Sequence, residues 1–289
     1  MPSKLEDIGK TIAEATSTAS VTLLDPAQTT ALRGIRVFDV GQGDCIGLLD
    51  QADKVFCYVD YGGLANHPDD GNPANTAKRL PVKTSHGLVS IVLTHWDKDH
   101  YYSAVKKNTA AQSCEWVAPR QLASPQAVRF AARLTNAKCW PESEGQNTVP
   151  FAVGPDHTIN IRKCQPFDPK AKNEDRNASG VAVTLHKNLN GSLNCYMLLP
   201  GDCHFDGIPG LPPVPIRTLI AYHHGSKTHW TSKTAPAISS FTPTHSMVYS
   251  YGQHSWTAAT AKYRPDWDRY STHTKDVRAK GDDYVDETW

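Results

Sequence analysis

A buried strand that ends in a cluster of polar side chains is predicted by residues 88–100, which read Leu88-Val89-Ser90-Ile91-Val92-Leu93-Thr94-His95-Trp96-Asp97-Lys98-Asp99-His100. The first half is a continuous apolar run, which is typical of a strand buried on both faces. The second half places four potential metal ligands within six residues. In an extended loop, His95, Asp97 and Asp99 project to one side and can chelate together. A solvated polar loop is the alternative, but the position directly after a buried strand favours a metal site.

Three further predicted strands end in residues of the same kind. The strand at 193–199 leads into Asp202, the strand at 217–222 into His223 and His224, and the strand at 246–251 ends near His254. Taken alone, Asp202 is as consistent with a turn residue as with a metal ligand. The His223-His224 pair alone is as consistent with a pair in the core or in a loop. Ligands gather outside the carboxyl ends of strands in α/β sheets, because loops converge there while the strands stay rigid. The four strand ends together therefore predict one site.

The rest of the pattern predicts an α/β domain over residues 34–289. Further predicted strands cover residues 35–40, 45–49, 55–59, 151–164 and 180–186, the first ending in Gly41-Gln42-Gly43-Asp44 and the third in Asp60-Tyr61-Gly62-Gly63. The sequence Asn188-Leu189-Asn190-Gly191 is a hairpin signal between two strands. A helix is predicted over 125–134, with Ser124 as its cap and Pro125 at its first position.

Residues 1–33 are predicted to be a separate N-terminal helix and linker. Leu5, Ile8, Ile12 and Ala15 recur at helical spacing, and a stretch rich in Thr, Ser and Ala follows. We interpret this segment as an element for homodimerisation or for docking of a partner. A frayed extension is the alternative interpretation.

Composition limits the classes of function. The 289 residues include 30 Lys and Arg against 29 Asp and Glu, a net charge of +1. This balance excludes a strongly basic footprint, so a polyanionic substrate would have to be met by a local patch. The seven cysteines form no C-x-x-C pair, which favours a reducing compartment. With no secretory signal and no run approaching ~18 apolar residues, we expect a soluble, cytoplasmic protein without a membrane role.

Five motifs in order resemble those of one known family. They are FDVGQGDCI (38–46), VLTHWDKDH (92–100), NASGVAVTL (177–185), LLPGD (198–202) and HHGS (223–226). The succession resembles the metallo-β-lactamase-like domain of ComEC competence proteins and their stand-alone relatives, over about residues 34–256. This resemblance implies an α/β fold, the metallo-β-lactamase αβ/βα sandwich, with two mixed sheets packed face to face and helices outside. It also implies one or two divalent metal ions, zinc or manganese, at the edge of the sandwich.

The resemblance also assigns individual residues. The implied metal-site positions are His95, Asp97, Asp99, His100 and Asp202, with Asp202 as a bridge, joined by His223 or His224. The positions implied or interpreted as substrate-binding are Asp44, Asn177, Ser179, Ser226, Lys98 and Lys227. The interpreted catalytic residues are Asp99, which would orient or deprotonate water, and His224 or His254, which would protonate the leaving group.

Two departures from the superfamily pattern shape the expectation. Asp97 stands where the superfamily signature H-x-H-x-D-H has its second histidine, and the usual third histidine has no clear counterpart; His157, His186 and His273 are candidates by position. A centre with fewer imidazoles and more carboxylates is less committed to zinc, so manganese is a realistic occupant. The second departure is that no membrane segments accompany the domain, so a role in DNA uptake does not follow.

Three classes of function compete. The first is a nuclease or phosphodiesterase that acts on nucleic acid through a metal-activated water. Its support is a set of lysines and aromatic residues near the motifs, comprising Lys98, Lys106, Lys107, Lys227, Lys233, Trp96, Tyr101, Tyr102, Trp230 and Trp256. The alternative interpretation is that those lysines form a solvated face and those aromatic residues belong to the core. The second class is a small-molecule hydrolase of the same fold, such as a lactonase, thioesterase or cyclic-nucleotide phosphodiesterase. The third is a non-catalytic module that binds a partner.

Overall fold

Two seven-stranded sheets dominate the computed structural model, which describes residues 6–15, 31–63, 79–84, 87–140, 148–165, 176–225, 246–250, 271–273 and 284–289. The strands of the described residues are β1 (Glu6–Asp7), β2 (Gly34–Phe38), β3 (Cys45–Leu49), β4 (Val55–Tyr61), β5 (Lys83–Thr84), β6 (Gly87–Leu88), β7 (Ser90–Val92), β8 (Glu115–Pro119), β9 (Leu122–Ala123), β10 (Asn136–Trp140), β11 (Thr148–Val153), β12 (His157–Lys163), β13 (Val181–Leu189), β14 (Ser192–Leu199), β15 (Ile216–Ile220), β16 (Ser246–Tyr249), β17 (Ser271–His273) and β18 (Tyr284–Thr288). The α-helices are α1 (Ile8–Ala15), α2 (Tyr102–Lys106) and α3 (Pro125–Ala131).

Both large sheets have the same internal plan. The first runs in the order β18-β2-β3-β4-β7-β8-β10, and the second in the order β11-β12-β13-β14-β15-β16-β17. In the first sheet the pairs up to β4 are antiparallel and the pairs beyond it are parallel. In the second sheet the change falls at β14. Strands β4 and β14 therefore occupy equivalent places, where each sheet changes from antiparallel to parallel pairing.

The main core lies between the two sheets. Because side chains alternate along a strand, every second residue of each sheet faces the partner sheet. Ile35 and Val37 of β2 enter this core from the first sheet, and Val183 and Leu185 of β13 enter it from the second. These side chains are all buried, which ties the two sheets together face to face.

The outer face of the first sheet is covered by all three described helices. Its outward residues, among them Ile91 and Trp116, share one apolar cluster with Ile8 of α1, Ala104 of α2 and Phe130 of α3. The outer face of the second sheet packs on the connection 203–214 within the described residues. The connections 226–245 and 251–270 lie outside the described residues. The predicted fold class is confirmed in its architecture: the chain is an α/β protein with two mixed sheets packed face to face and helices outside.

The N-terminal helix packs on the chain itself. Ile8 and Ile12 are buried in the cluster over the first sheet, and β1 pairs with β9. The apolar face of α1 is thus used inside the protein, and docking of a partner or a second copy through another face stays a prediction, as does the boundary at residue 33. Among the described residues, no helix has the length and apolar content needed to cross a membrane.

Candidate metal centre

The predicted ligand-bearing residues meet at one edge of the sandwich. His95, Asp99 and His100 follow β7, Asp202 follows β14, and the His223-His224 pair follows β15. Asp44, ahead of β3, and Asp60, near the end of β4, join them from the first sheet. The junctions at β4 and β14 therefore each contribute a buried carboxylate, at the kind of strand-order change where α/β folds collect ligands.

Four side chains surround what we name the buried position, made by Asp99, His100, His224 and the Oδ1 atom of Asp202. His100 Nε2 lies 3.4 Å and His224 Nε2 3.8 Å from Asp202 Oδ1. His224 Nε2 lies 3.2 Å from Asp99 Oδ2. His100 and His224 are fully buried, at 0% and 1% exposure. Protein therefore encloses this position on the imidazole side, while Asp99, at 17% exposure, faces the mouth of the site.

The other oxygen of Asp202 belongs to what we name the rim position, made by His95, Asp97, His223 and the Oδ2 atom of Asp202. Asp202 Oδ2 lies 3.4 Å from His95 Nε2 and 3.3 Å from His223 Nδ1. His95 Nε2 is also 3.7 Å from Asp97 Oδ2. The side chains of Asp97 and His223 are 30% and 22% exposed, so this position opens to solvent.

The donor atoms fit a metal centre. His95 Nε2, His100 Nε2, His224 Nε2 and Asp202 Oδ1 are buried and make no hydrogen bond among the described residues. Buried polar atoms are normally paired, so four such atoms aimed at a common region fit the donor set of a metal ion. Two ligands that bind one ion at ~2.1 Å lie roughly 3.0–3.4 Å apart, close to the separations observed. The residues present therefore fit a divalent metal centre, and Asp202 contacts imidazoles of both positions.

The electrostatics of the site favour bound cations. Burial alone would raise the pKa of Asp202, but the imidazoles of the centre outweigh burial and hold it well below its usual range. Burial lowers the pKa of His100, yet Asp60 and Asp202 raise it well above its usual value. The pKa of His224 rises to about 10, because Asp44 and its neighbours outweigh burial. The carboxylates stabilise positive charge here, and a divalent ion would replace the protons that they attract.

Asp60 is a residue of the site that lies outside the five sequence motifs. Its Oδ2 atom accepts a hydrogen bond from His100 Nδ1 at 2.8 Å and another from the Thr94 hydroxyl at 2.7 Å. The same hydroxyl lies 3.2 Å from His95 Nδ1. Asp60 thus fixes the tautomer of His100 directly and that of His95 through Thr94, so that both Nε2 atoms face the centre. The clue in the sequence was an apolar strand that ends in Asp60-Tyr61-Gly62-Gly63.

Asp44 plays the corresponding part for His224. Its Oδ1 atom accepts a short hydrogen bond from the Ser250 hydroxyl and lies 3.4 Å from His224 Nδ1. Asp44 is 1% exposed and sits behind the imidazole, on the side away from Asp99 and Asp202. The prediction that Asp44 binds substrate stays a prediction. The contact that the structure shows is between Asp44 and the imidazole of His224.

The backbone is strained where the ligands lie. His223, His224 and Asp60 have left-handed φ values of 44°, 53° and 59°. Such values are uncommon for residues with a side chain, and they collect at functional sites. Two consecutive left-handed residues after β15 place His223 against one oxygen of Asp202 and His224 against the other. Both histidines therefore face Asp202, and the choice of ligand between them stays a prediction.

Gly201 explains how two ligand loops approach each other. A methyl group on Gly201 would come within 2.6 Å of the Thr94 hydroxyl, and the backbone there is left-handed at φ 56°. On the facing side, the amide of Val181 donates to the Thr94 carbonyl at 2.7 Å. The glycine in the motif LLPGD therefore allows the Asp202 loop to pack directly on the residue before His95.

The remaining residues predicted to bind substrate lie in different places. Asn177 Nδ2 lies 3.1 Å from His223 Nδ1, at the rim position. Ser179 is buried and accepts from Gln121 Nε2 at 2.9 Å, which places it in the packing behind the site. Lys98 is exposed, with its ammonium 4.7 Å from the Tyr102 ring centroid. Ser226, Lys227 and His254 lie outside the described residues, as do Lys233, Trp230 and Trp256.

Two of the aromatic candidates belong to the core. Trp96 and Tyr101 are 0% and 1% exposed and pack with Phe130 under the metal-binding loop. Tyr102 remains half-buried beside Lys98. The aromatic part of the predicted rim is therefore reduced, among the described residues, to Tyr102.

Two of the three candidates for a third histidine, His157 and His186, contact other partners away from the centre. His157 packs against Trp289, with 5.5 Å between ring centroids. His186 lies 2.9 Å from the Thr184 hydroxyl, and burial lowers its pKa to about 4. His273 ends β17 in register with Tyr249, and its side chain lies outside the described atoms. The described ligand set is therefore completed by carboxylates and by His223.

Comparison with known proteins adds a distant structural likeness. No protein-family model and no curated protein matches the chain. Solved structures similar to it include CmlA, a diiron beta-hydroxylase from Streptomyces venezuelae, with 12% identity and a TM-score of 0.36 over 66% of this chain and 34% of that chain. A mutant form of CmlA gives 12% identity and a TM-score of 0.37 over 67% and 36% of the two chains. The chain spans about a third of the length of these structures.

Proposed function

We propose that this protein is a metal-dependent hydrolase that cleaves phosphodiesters, with nucleic acid as the substrate class. The observation that carries the proposal is the position of Asp202, whose two oxygens face two separate groups of ligands. A carboxylate between two such groups could help to hold two divalent ions, which would supply the chemistry used for displacement at phosphorus. Bound divalent ions would supply Lewis-acid activation of water and of the phosphoryl oxygens.

The side chains of the centre supply the remaining functions. Asp99, Asp97 and the imidazoles would hold the ions, and Asp202 would bridge them. Asp99 is 17% exposed, so its carboxylate is also placed to orient a water molecule at the mouth of the site. Both nitrogens of His224 face carboxylates, Asp44 on one side and Asp99 on the other, which supports a ligand role over that of a leaving-group acid. His254 remains the proposed acid.

The choice of a phosphodiester rests on charge at the rim. Arg176 Nη1 lies 3.2 Å from Asp97 Oδ1, and Lys98 lies exposed one residue beyond Asp97. Arg and Lys next to a metal centre stabilise phosphate oxygens. The ligand set has three carboxylates and four imidazoles, so we propose manganese or zinc as the occupant, with iron as a further occupant that such donors accept. The similarity to ComEC domains and a cytoplasmic location remain part of this proposal.

A panel assay tests the function. The protein, stripped of metal and reloaded with Mn²⁺, Zn²⁺ or Fe²⁺, is offered single-stranded DNA, RNA, bis-p-nitrophenyl phosphate and a lactone. We expect cleavage of nucleic acid and of the phosphodiester, and a loss of at least about 100-fold in Asp97→Ala and His100→Ala. Asp156→Asn, an exposed carboxylate on the β11–β12 turn, is the control and should keep full activity.

The other outcomes separate the alternatives. Turnover of the lactone alone would favour the small-molecule hydrolases. A protein that binds no metal would leave the non-catalytic module as the remaining class. Activity that survives both ligand substitutions would show that the reaction takes place elsewhere in the chain.

A further inference from the structure

The buried and rim positions differ in enclosure. Apart from the shared Asp202, the most exposed side chain of the buried position is Asp99, at 17%, and His100 and His224 are at most 1% exposed. At the rim position His95 is 1% exposed, but Asp97 and His223 are 30% and 22% exposed. An ion at the rim would keep more of its water and exchange more readily with solvent. Enclosure alone therefore ranks the buried position as the tighter one.

They also differ in the groups behind the imidazoles. His100 has the carboxylate of Asp60 behind its Nδ1 atom at 2.8 Å, and His224 has that of Asp44 at 3.4 Å. His95 has the hydroxyl of Thr94 at 3.2 Å. A carboxylate partner raises the basicity of a ligating imidazole, and loss of such a partner commonly weakens metal affinity about 10–100-fold. Imidazoles with carboxylate support thus belong to the buried position.

A third difference is a cation at the rim. Arg176 Nη1 lies 3.2 Å from Asp97 Oδ1, while the other oxygen of Asp97 faces His95. The guanidinium, 33% exposed, already neutralises part of the charge that an ion at the rim would need. Among the described residues, no arginine or lysine ion pair is found with Asp99 or Asp202, the carboxylates of the buried position.

We propose that the two positions are filled in order: a resident ion occupies the buried position, and an exchangeable ion occupies the rim position, where Arg176 weakens its binding by pairing with Asp97. This inference rests on the metal centre of the proposed function and adds an order of loading. It assigns to Arg176 the role of a positioning residue that sets how readily the second ion enters and leaves. Three independent observations, namely exposure, imidazole support and the guanidinium, agree in direction.

Calorimetric titration of the metal-stripped full chain with Mn²⁺ tests the order. We expect one tight equivalent and a second that binds about tenfold more weakly or worse. Electron paramagnetic resonance should show an isolated Mn²⁺ signal at one equivalent and a spin-coupled pair at two. Asp97→Ala should lose the weak equivalent and keep the tight one. Two equivalents of equal affinity, or loss of the tight one in Asp97→Ala, would overturn the proposal.

Arg176 is tested by the sign of its effect. Arg176→Met keeps the length of the side chain and removes its charge, so the second Mn²⁺ should bind about twofold to fivefold more tightly. Arg176→Lys should stay close to the parent protein. Arg120→Met, which removes an exposed arginine elsewhere in the described chain, controls for net charge. Weaker or unchanged binding in Arg176→Met would contradict the role assigned to Arg176. Because substrate is absent, inactivity in the panel assay would overturn the proposed hydrolysis without touching this result.

Discussion

Asp60 is a single buried carboxylate that orients two imidazoles at once. It has 0% exposure, contacts His100 directly and reaches His95 through the Thr94 hydroxyl. Burial raises the pKa of Asp60, although His100 opposes this, so the pair shares its charge in a nonpolar setting. Asp60 therefore acts through the imidazoles that it orients, so we expect its substitution to lower metal affinity before it affects anything else.

Asp60→Asn tests this role. The amide has nearly the same shape but loses the charge that supports His100, so we expect metal affinity to fall about 10–100-fold. Titration with Mn²⁺, with circular dichroism to confirm folding, measures the change. Asp156→Asn is the matched control, since that side chain is exposed. An unchanged affinity for both ions would mean that Asp60 serves packing alone.

Most of the residues that the structure brings together at the candidate centre could be recognised in the sequence, and two important neighbours could not. His95, Asp99, His100 and Asp202 are recognisable because they lie in the loops that follow apolar strands. Asp60 also follows a strand, but an aspartate before two glycines is equally an ordinary turn, and its partner His100 is 40 positions away. Arg176 follows a polar loop with no pattern at all. Contacts between distant loops are set by the packing of the sheets, which local periodicity does not encode.

The same limit applies to the strands and helices. The predicted strand at 45–49 coincides with β3, the helix from Pro125 begins where predicted, and the Ser124 hydroxyl accepts from the Ala127 amide at 3.2 Å. The hairpin turn lies at Asn190-Gly191, with φ values of 55° and 78°. The apolar run at 88–94 divides between β6 and β7, and β18 was not predicted, because Tyr-Val-Asp-Glu-Thr is a half-exposed edge strand with little apolar signal.

The contact between the Asp202 turn and the end of β7 gives a second prediction. Gly201→Ala should lower the free energy of unfolding by about 2–4 kcal/mol, the sum of left-handed strain and overpacking against Thr94. Gly191→Ala is matched in backbone, at φ 78°, but a methyl group there meets no atom within 4 Å. It should cost about 1 kcal/mol. Urea denaturation of the metal-free proteins compares them, and equal losses would show that the close approach to Thr94 is unimportant.

Helix α1 tests the domain boundary predicted at residue 33. Ile12→Ala should destabilise the protein by about 2–4 kcal/mol, because Ile12 is 2% exposed in the cluster over the first sheet. Leu88→Ala is the control, since Leu88 is 46% exposed and its truncation should cost little. Thermal or urea unfolding measures both. A cost near zero for Ile12→Ala would make α1 an appendage that is separate from the rest of the fold.

The whole molecule is organised by the shared plan of its sheets. Each sheet changes from antiparallel to parallel pairing at one strand, β4 or β14, and each of these strands delivers an aspartate to the centre. Asp60 hydrogen-bonds to the Nδ1 atom of His100, on the side away from the centre, while Asp202 lies between the buried and rim positions. The site therefore exists where the two halves of the sandwich meet, and neither half carries a complete set of ligands.

This division has a kinetic consequence. Contacts that complete the site are remote in sequence, as between Ser250 and Asp44, which are 206 positions apart. High contact order makes such contacts slow to form, so they should be absent from the folding transition state and the ions should enter after the main barrier. Stopped-flow measurements should then show that Mn²⁺ slows unfolding while the refolding rate stays unchanged. Faster refolding with Mn²⁺ would mean that the ions bind before the folding barrier and bring the strands together. If refolding is unchanged, the ions bind last during folding and leave first during unfolding.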